Sequence, residues 1–192
     1  MTGALPHPAA ARVEAPLARS LTELVLRPYL PHCRYVHTAR LTRPAAPRLP
    51  TQGDPASWLR LDAECGIDAS CYIESTGHFN AVELNITYNQ MLYLCVAAAL
   101  QQRALPAPAW SFDEFLHHQL PDVLIADYQA RFRQPMRSHR YRGWVEVTAA
   151  IARPQRNLVL LKTRSGCSDG DRNGPDACEA TVTIAMVHWP SA

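Results

Sequence analysis

Residues 80–102, NAVELNITYNQMLYLCVAAALQQ, decide how this chain folds. Asn80 and Glu83 stand at the cap-plus-Glu spacing of a helix start, and no residue from there to Gln102 breaks a helix. The spacing predicts one long helix over 80–102. Val82, Ile86, Asn89 and Tyr93 fall on one of its faces, while Leu92, Val96 and Leu100 add apolar bulk. That face is mostly apolar, yet Asn89 interrupts it. Together with the preceding residues 71–79, CYIESTGHF, the segment collects tyrosines, asparagines and a Gly-His-Phe. A packed interior accepts polar groups only when they are paired. These groups therefore bond to one another or serve a ligand.

Shorter elements flank the long helix. SLTELVLRPYL (20–30) opens with Ser20 and Glu23 in capping-box spacing and predicts a short amphipathic helix stopped near Pro28. CRYVHTARLT (33–42) and WLRLDAECGI (58–67) alternate as strands, with the Pro-rich loop 43–57 between them. SFDEFLHHQL (111–120) is a second capped helix, with Ser111 and Glu114 as its cap pair. Four more strands follow: DVLIADYQARF (122–132), YRGWVEVTAAIAR (141–153), RNLVLLKTR (156–164) and EATVTIAMVHW (179–189). This order predicts an α+β fold, one long helix against a curved antiparallel sheet of about six strands.

Composition narrows the function classes. The 192 residues fit one domain over 20–192, preceded by residues 1–19, which are rich in Ala, Pro and Arg and read as a disordered tail. A net charge of +2 gives no basis for nucleic-acid binding. No apolar run is long enough to span a membrane, and the first residues lack the apolar core of a secretory signal. A cytoplasmic location with reduced cysteines is expected. No Cys-x-x-Cys occurs among the six cysteines, which argues against zinc. DGDRNGPDACEA (169–180) begins in the order of a calcium loop, but its twelfth residue is Ala180, with Glu179 one place early. It reads as a hairpin loop flanked by Cys167 and Cys178. No metal and no cofactor are expected.

The segment YIESTGHFNAVE (72–83), followed by Asn89 and Gln90, resembles the FcoT-like family of hotdog-fold fatty acyl thioesterases. Arg27-Pro28-Tyr29, His118-Gln119-Leu120 and RFRQP (131–135) match it in the same order. The resemblance implies a hotdog fold, a sheet wrapped around one long central helix, paired into homodimers or higher oligomers with acyl sites at the interface. It implies a fatty acyl or enoyl thioester of acyl carrier protein or coenzyme A as substrate. Some members belong to isonitrile lipopeptide biosynthesis, where they add glycine to an α,β-unsaturated acyl thioester and release a β-amino acid derivative. The family's polar positions carry over as Tyr29, Tyr72, Asn80 and Asn89, with Asn85 an extra polar group. Gly77-His78-Phe79 is also similar to the Gly-His-Phe of hotdog carrier-protein dehydratases, whose His acts as a base.

These residue types suit thioester chemistry. Charge develops on the carbonyl oxygen during hydrolysis, and again when conjugate addition forms an enolate; donors aimed there are the largest catalytic term. The amides at the start of the central helix, around Gly77 to Ala81, supply such donors with the helix dipole behind them. Tyr72, Asn80 and Asn89 would orient the thioester, and His78 would take a proton from water or from a glycine ammonium. Glu83 is a second candidate base, opposed by its capping role. Gly77 lets the backbone approach the substrate. Tyr29, Phe79, Arg131 and Arg133 complete the substrate contacts, the arginines belonging to a basic run with Arg137, Arg140 and Arg142 that suits phosphates or an acidic carrier. Three readings follow: glycine addition to an enoyl thioester on acyl carrier protein with hydrolytic release; a long-chain fatty acyl-CoA thioesterase; and a non-catalytic acyl-thioester binding module.

Overall fold

A computed structural model describes residues 11–74, 77–106, 108–169 and 175–190. Seven strands form one antiparallel sheet: β1 (Arg12–Pro16), β2 (Val36–Pro44), β3 (Leu59–Cys65), β4 (Val123–Phe132), β5 (Tyr141–Arg153), β6 (Leu158–Ser168) and β7 (Cys178–Val187). Their order is β1-β2-β3-β5-β6-β7-β4. Three α-helices accompany them: α1 (Arg19–Val25), α2 (Ala81–Gln101) and α3 (Phe112–His118).

Alternation sets the two faces of the sheet. Along β5, Tyr141, Gly143, Val145 and Val147 are buried, while Arg142, Trp144 and Glu146 between them are half-exposed. The inner face meets α2. At Gly143 the approach is tight enough that a Cβ would lie 2.8 Å from Met91 Sδ. A side chain there would force the Met91 thioether to move aside. Leu84, Tyr88, Met91, Leu92, Leu94 and Cys95 of α2 are fully buried.

The long helix starts as the spacing predicts. Asn80 caps it, accepting from the Val82 and Glu83 amides at 2.9 and 3.3 Å, and Glu83 returns a bond to the Asn80 amide. Ser111 and Glu114 form the same reciprocal cap on α3. The expected Ser20–Glu23 cap does not form. Helix α1 begins two residues earlier, with Ala18 at its N-cap and no side-chain bond, so Ser20 lies inside the helix.

Two further expectations change. Part of the expected tail is a strand: β1 pairs with β2 from Arg12↔Pro44 to Pro16↔Arg40. Its residues are mostly exposed, so it has no apolar alternation to read. Backbone pairing holds it instead, helped by the Arg12 guanidinium on the Pro55 and Trp58 carbonyls and by Glu14 on Arg40 at 2.6 Å. The second change concerns α2. The stripe of Val82, Ile86 and Asn89 is its more open side, with Val82 46% exposed, while the core lies on the other faces.

Most polar groups of α2 pair internally. Thr87 Oγ1 and Tyr141 Oη are 2.6 Å apart, and Tyr88 Oη and Thr163 Oγ1 are 2.7 Å apart. Gln90 is fully buried: its oxygen accepts from the Tyr35 and Val36 amides at 2.8 and 3.2 Å, and its nitrogen donates to the Cys33 carbonyl at 2.6 Å. At the other end of the molecule, Asp122 joins α3 to β7. It bonds His118 Nδ1 at 2.5 Å and His188 Nδ1 at 3.0 Å, and the bond to His118 holds its carboxyl below the usual range.

Strands β6 and β7 place Cys167 opposite Cys178, both buried and unpaired. Residues 170–174 of the calcium-like segment lie outside the described residues, and among those described no cluster of acidic, His and Cys side chains is arranged for a metal. No described helix is long and apolar enough to cross a membrane.

Candidate active site

The start of α2 is a surface feature. Gly77, His78 and Ala81 are exposed along with Val82. Gly77 has φ +72°, a left-handed conformation that glycine adopts without strain. Two residues later the chain turns inward. Phe79 is buried, its amide donates to the Met136 carbonyl at 3.1 Å, and its ring packs 4.8 Å from that of Tyr141. Phe79 anchors the tip rather than presenting itself to solvent.

Four backbone amides open the helix, at residues 80–83. Asn80 N lies 3.4 Å from Glu83 Oε2, and Val82 and Glu83 are taken by the Asn80 side chain. The Ala81 N–H has no acceptor among the described residues. It points out of an exposed helix end with the dipole of twenty-one residues behind it. A free donor of this kind can stabilise a developing oxyanion.

Tyr72 stands beside it. Its hydroxyl accepts from Asn80 Nδ2 at 2.8 Å, and the residue is 48% exposed. The amide of Asn80 thus divides its work: oxygen to the helix, nitrogen to the phenol. His78 sits on the same exposed turn and makes contacts of its own. Glu83 is buried, its carboxylate turned back to the cap.

Asn89 is not part of this cluster. Nine residues of helix separate it from Asn80, about 13 Å of rise. It lies on the half-open stripe with Val82, Asn85 and Ile86, and its amide nitrogen is 3.4 Å from Asn85 Oδ1, a long bond. One turn further on the same face is Tyr93. Tyr29 lies near it, and burial, with the Tyr93 phenol adding to it, raises the Tyr29 hydroxyl well above the ordinary tyrosine range. The carried-over residues therefore form two groups along one side of α2: Tyr72 with Asn80 at the tip, and Asn89 with Tyr93 and Tyr29 beyond it.

Arg131 and Arg133 lie at the end of β4 and just after it. Arg133 is paired with Glu179 at 2.8 Å, and Arg131 is exposed opposite the same glutamate in the ladder. The sequence reading put Tyr93 on the Asn89 face without giving it a role, and it named the amides of Gly77 to Ala81 together without singling out Ala81. Tyr93 shares the helical period of Asn89, so its place was readable; which amide stays unspent depends on the cap's bonds and was not.

An apolar cavity of about 200 Å³ lies at the opposite pole, walled by Leu59, Val96, Val147, Leu161, Met186 and Trp189. Val96 is sixteen residues from Asn80, about 24 Å along the helix. The cavity does not include the tip. Among the described residues the tip is open surface, neither plugged nor enclosed.

The chain is similar to known proteins. The family described as FcoT-like thioesterase domain matches residues 24–186. A protein of Streptomyces coeruleorubidus named (2E)-enoyl-[ACP] glycyltransferase is 34% identical over 177 residues, covering 89% of this chain and 98% of that protein. A Mycobacterium tuberculosis protein of the same name is 34% identical over 177 residues, covering 91% of this chain and 90% of its own. Among solved structures, zebra fish thioesterase superfamily member 2 aligns with a TM-score of 0.47 at 9% identity, over 88% of this chain and 94% of that one. The chain belongs to the FcoT-like thioesterase domain family and is an enzyme of that group.

Proposed function

We propose that this enzyme adds glycine to an α,β-unsaturated fatty acyl thioester on acyl carrier protein and releases the product by hydrolysis, as a step of isonitrile lipopeptide biosynthesis. The observation that carries the reading is the unspent Ala81 amide at the open N-terminus of α2, flanked by Tyr72 and Asn80. The names of the 34%-identical relatives support the substrate class. In the addition, the glycine nitrogen bonds to the β-carbon, the π electrons move onto the carbonyl oxygen as an enolate, and a proton returns to the α-carbon. In the release, water breaks the carbonyl–sulfur bond and the carrier leaves as its thiol. Both steps place negative charge on the same oxygen, so one donor serves both.

His78 is the group that removes the proton from the glycine ammonium, since a neutral imidazole on an exposed turn can both reach it and pass it on. Tyr72 and Asn80 hold the thioester in line, and Asn89 with Tyr29 contacts the chain further along the stripe. The acyl site is completed between two copies. The half-exposed stripe of α2 and the free outer edge of β4, which carries exposed Leu124, Ile125 and Phe132, support that assembly. The enzyme acts in the cytoplasm, where its six unpaired cysteines stay reduced.

Mass spectrometry of the products decides it. Enzyme, enoyl carrier protein and glycine should give the N-carboxymethyl β-amino acid and free carrier. Release of the unmodified enoic acid alone, with or without glycine, would remove the addition step and leave a thioesterase.

A further inference from the structure

Between β4 and β5 the chain runs RQPMRSHR (133–140), with Arg131 and Arg142 at the flanking strand ends. The loop is pinned close to the helix tip. Its Met136 carbonyl accepts the Phe79 amide at 3.1 Å, and its Ser138 carbonyl accepts the Ile67 amide at 2.9 Å. At Gly66 a Cβ would come within 2.5 Å of the His139 carbonyl and 2.8 Å of His37 Cε1, so the loop rests directly on that glycine.

A cavity of about 390 Å³ opens there, lined by Arg137, His139, Arg140 and Arg142 with Glu64, Tyr141, Ser168 and Asp169. Three guanidiniums face two carboxylates, and one of these, Asp169, is already engaged by Arg137 through its amide at 3.0 Å and its side chain at 3.5 Å. Arg140 is exposed and forms no ion pair among the described residues. Tyr141 forms a wall common to both places: its ring touches Phe79 at the tip and its hydroxyl bonds Thr87 of α2. The space holds several water volumes, enough for a phosphate group.

We infer that this cavity binds the phosphate at the head of the pantetheine arm, the group that acyl carrier protein and coenzyme A thioesters have in common. The inference rests on the thioester reading of the α2 tip. Arg140 would take the phosphate oxygens as a charge-assisted donor, with Arg142 and His139 lining the same space. The arm then runs from this loop to the exposed start of α2, delivering its sulfur-linked carbonyl to Ala81. Arg133, held by Glu179, takes no part.

Three enoyl substrates test it: carrier-protein thioester, coenzyme A thioester, and the thioester of pantetheine without phosphate. Arg140→Gln should raise KM about tenfold for the first two and leave the third alone. Arg140→Glu should raise it further. Arg156→Gln, the same loss of charge beyond the far end of β5, should change none of the three. The parent's preference between the two phosphorylated substrates identifies which source it uses. A rise on all three substrates, on none, or on only one of the phosphorylated pair would overturn the phosphate assignment while leaving the thioester reading intact. An absence of parent turnover on every thioester would instead remove the thioester reading, and this inference with it.

Discussion

At the scale of single residues, one backbone proton matters most. Asn80 and Glu83 were legible in the sequence as a reciprocal cap, and the cap is what consumes three of the four opening amides and spares the Ala81 N–H. The remaining donor can be deleted without damaging the helix. Ala81 occupies the first helical position, where proline is favoured, and Asn80 before it is already extended at φ −131° and ψ −176°. Ala81→Pro should therefore fold with an unchanged melting temperature and lose roughly 10²–10³-fold in kcat, the usual cost of one oxyanion donor. Circular dichroism melts and steady-state kinetics on an enoyl thioester read the two quantities. A folded Ala81→Pro enzyme of parental kcat would place the oxyanion elsewhere.

At the scale of elements, α2 shows why pattern alone did not tell which of its polar residues are buried. Adjacent helical residues point about 100° apart. Asn89 and Gln90 are chemically alike in the sequence, yet Asn89 lies on the open stripe and Gln90 is fully buried, tying the helix to the start of β2. Periodicity located the helix, but which arc of it faces the sheet depends on where Gly143 lets it descend. The strand β1 was illegible for a different reason, since an exposed edge strand needs backbone partners and no apolar alternation. Gln90→Leu would strand two amides and a carbonyl in the core. With about 1–3 kcal/mol for each unsatisfied group and some relaxation, a loss of about 3 kcal/mol is expected, lowering Tm by roughly 6–12 °C. Calorimetry measures it directly. An unmoved Tm would mean that the chain around Cys33 to Val36 finds other partners.

At the scale of the whole molecule, the tip and the distal apolar cavity lie at opposite poles, and the side of α2 between them is half bare. A fatty chain leaving Ala81 along the Val82–Ile86–Asn89 stripe would be wetted in an isolated chain. The hydrophobic effect then favours a lid from outside the chain, and the proposed second copy supplies it. Nothing in the local pattern of the sequence encodes such a surface, because a stripe half-covered by a partner reads like one covered by the chain's own core. The sheet ends at β4, whose ten residues are exposed almost throughout and whose outer row of peptide groups has no strand beside it among the described residues. An edge of this length invites a partner strand. In an antiparallel pair of β4 strands about a two-fold axis, glutamates in place of Ile125 and Phe132 would remove apolar contact and set like charges across the seam. Light scattering should find the parent at twice the 21.4 kDa chain mass and the I125E/F132E variant at one. Turnover should fall together with the dimer and recover as protein concentration is raised. A parent that is monomeric and fully active at assay concentration would show that one chain closes its own acyl site, and the bare stripe would then need another cover.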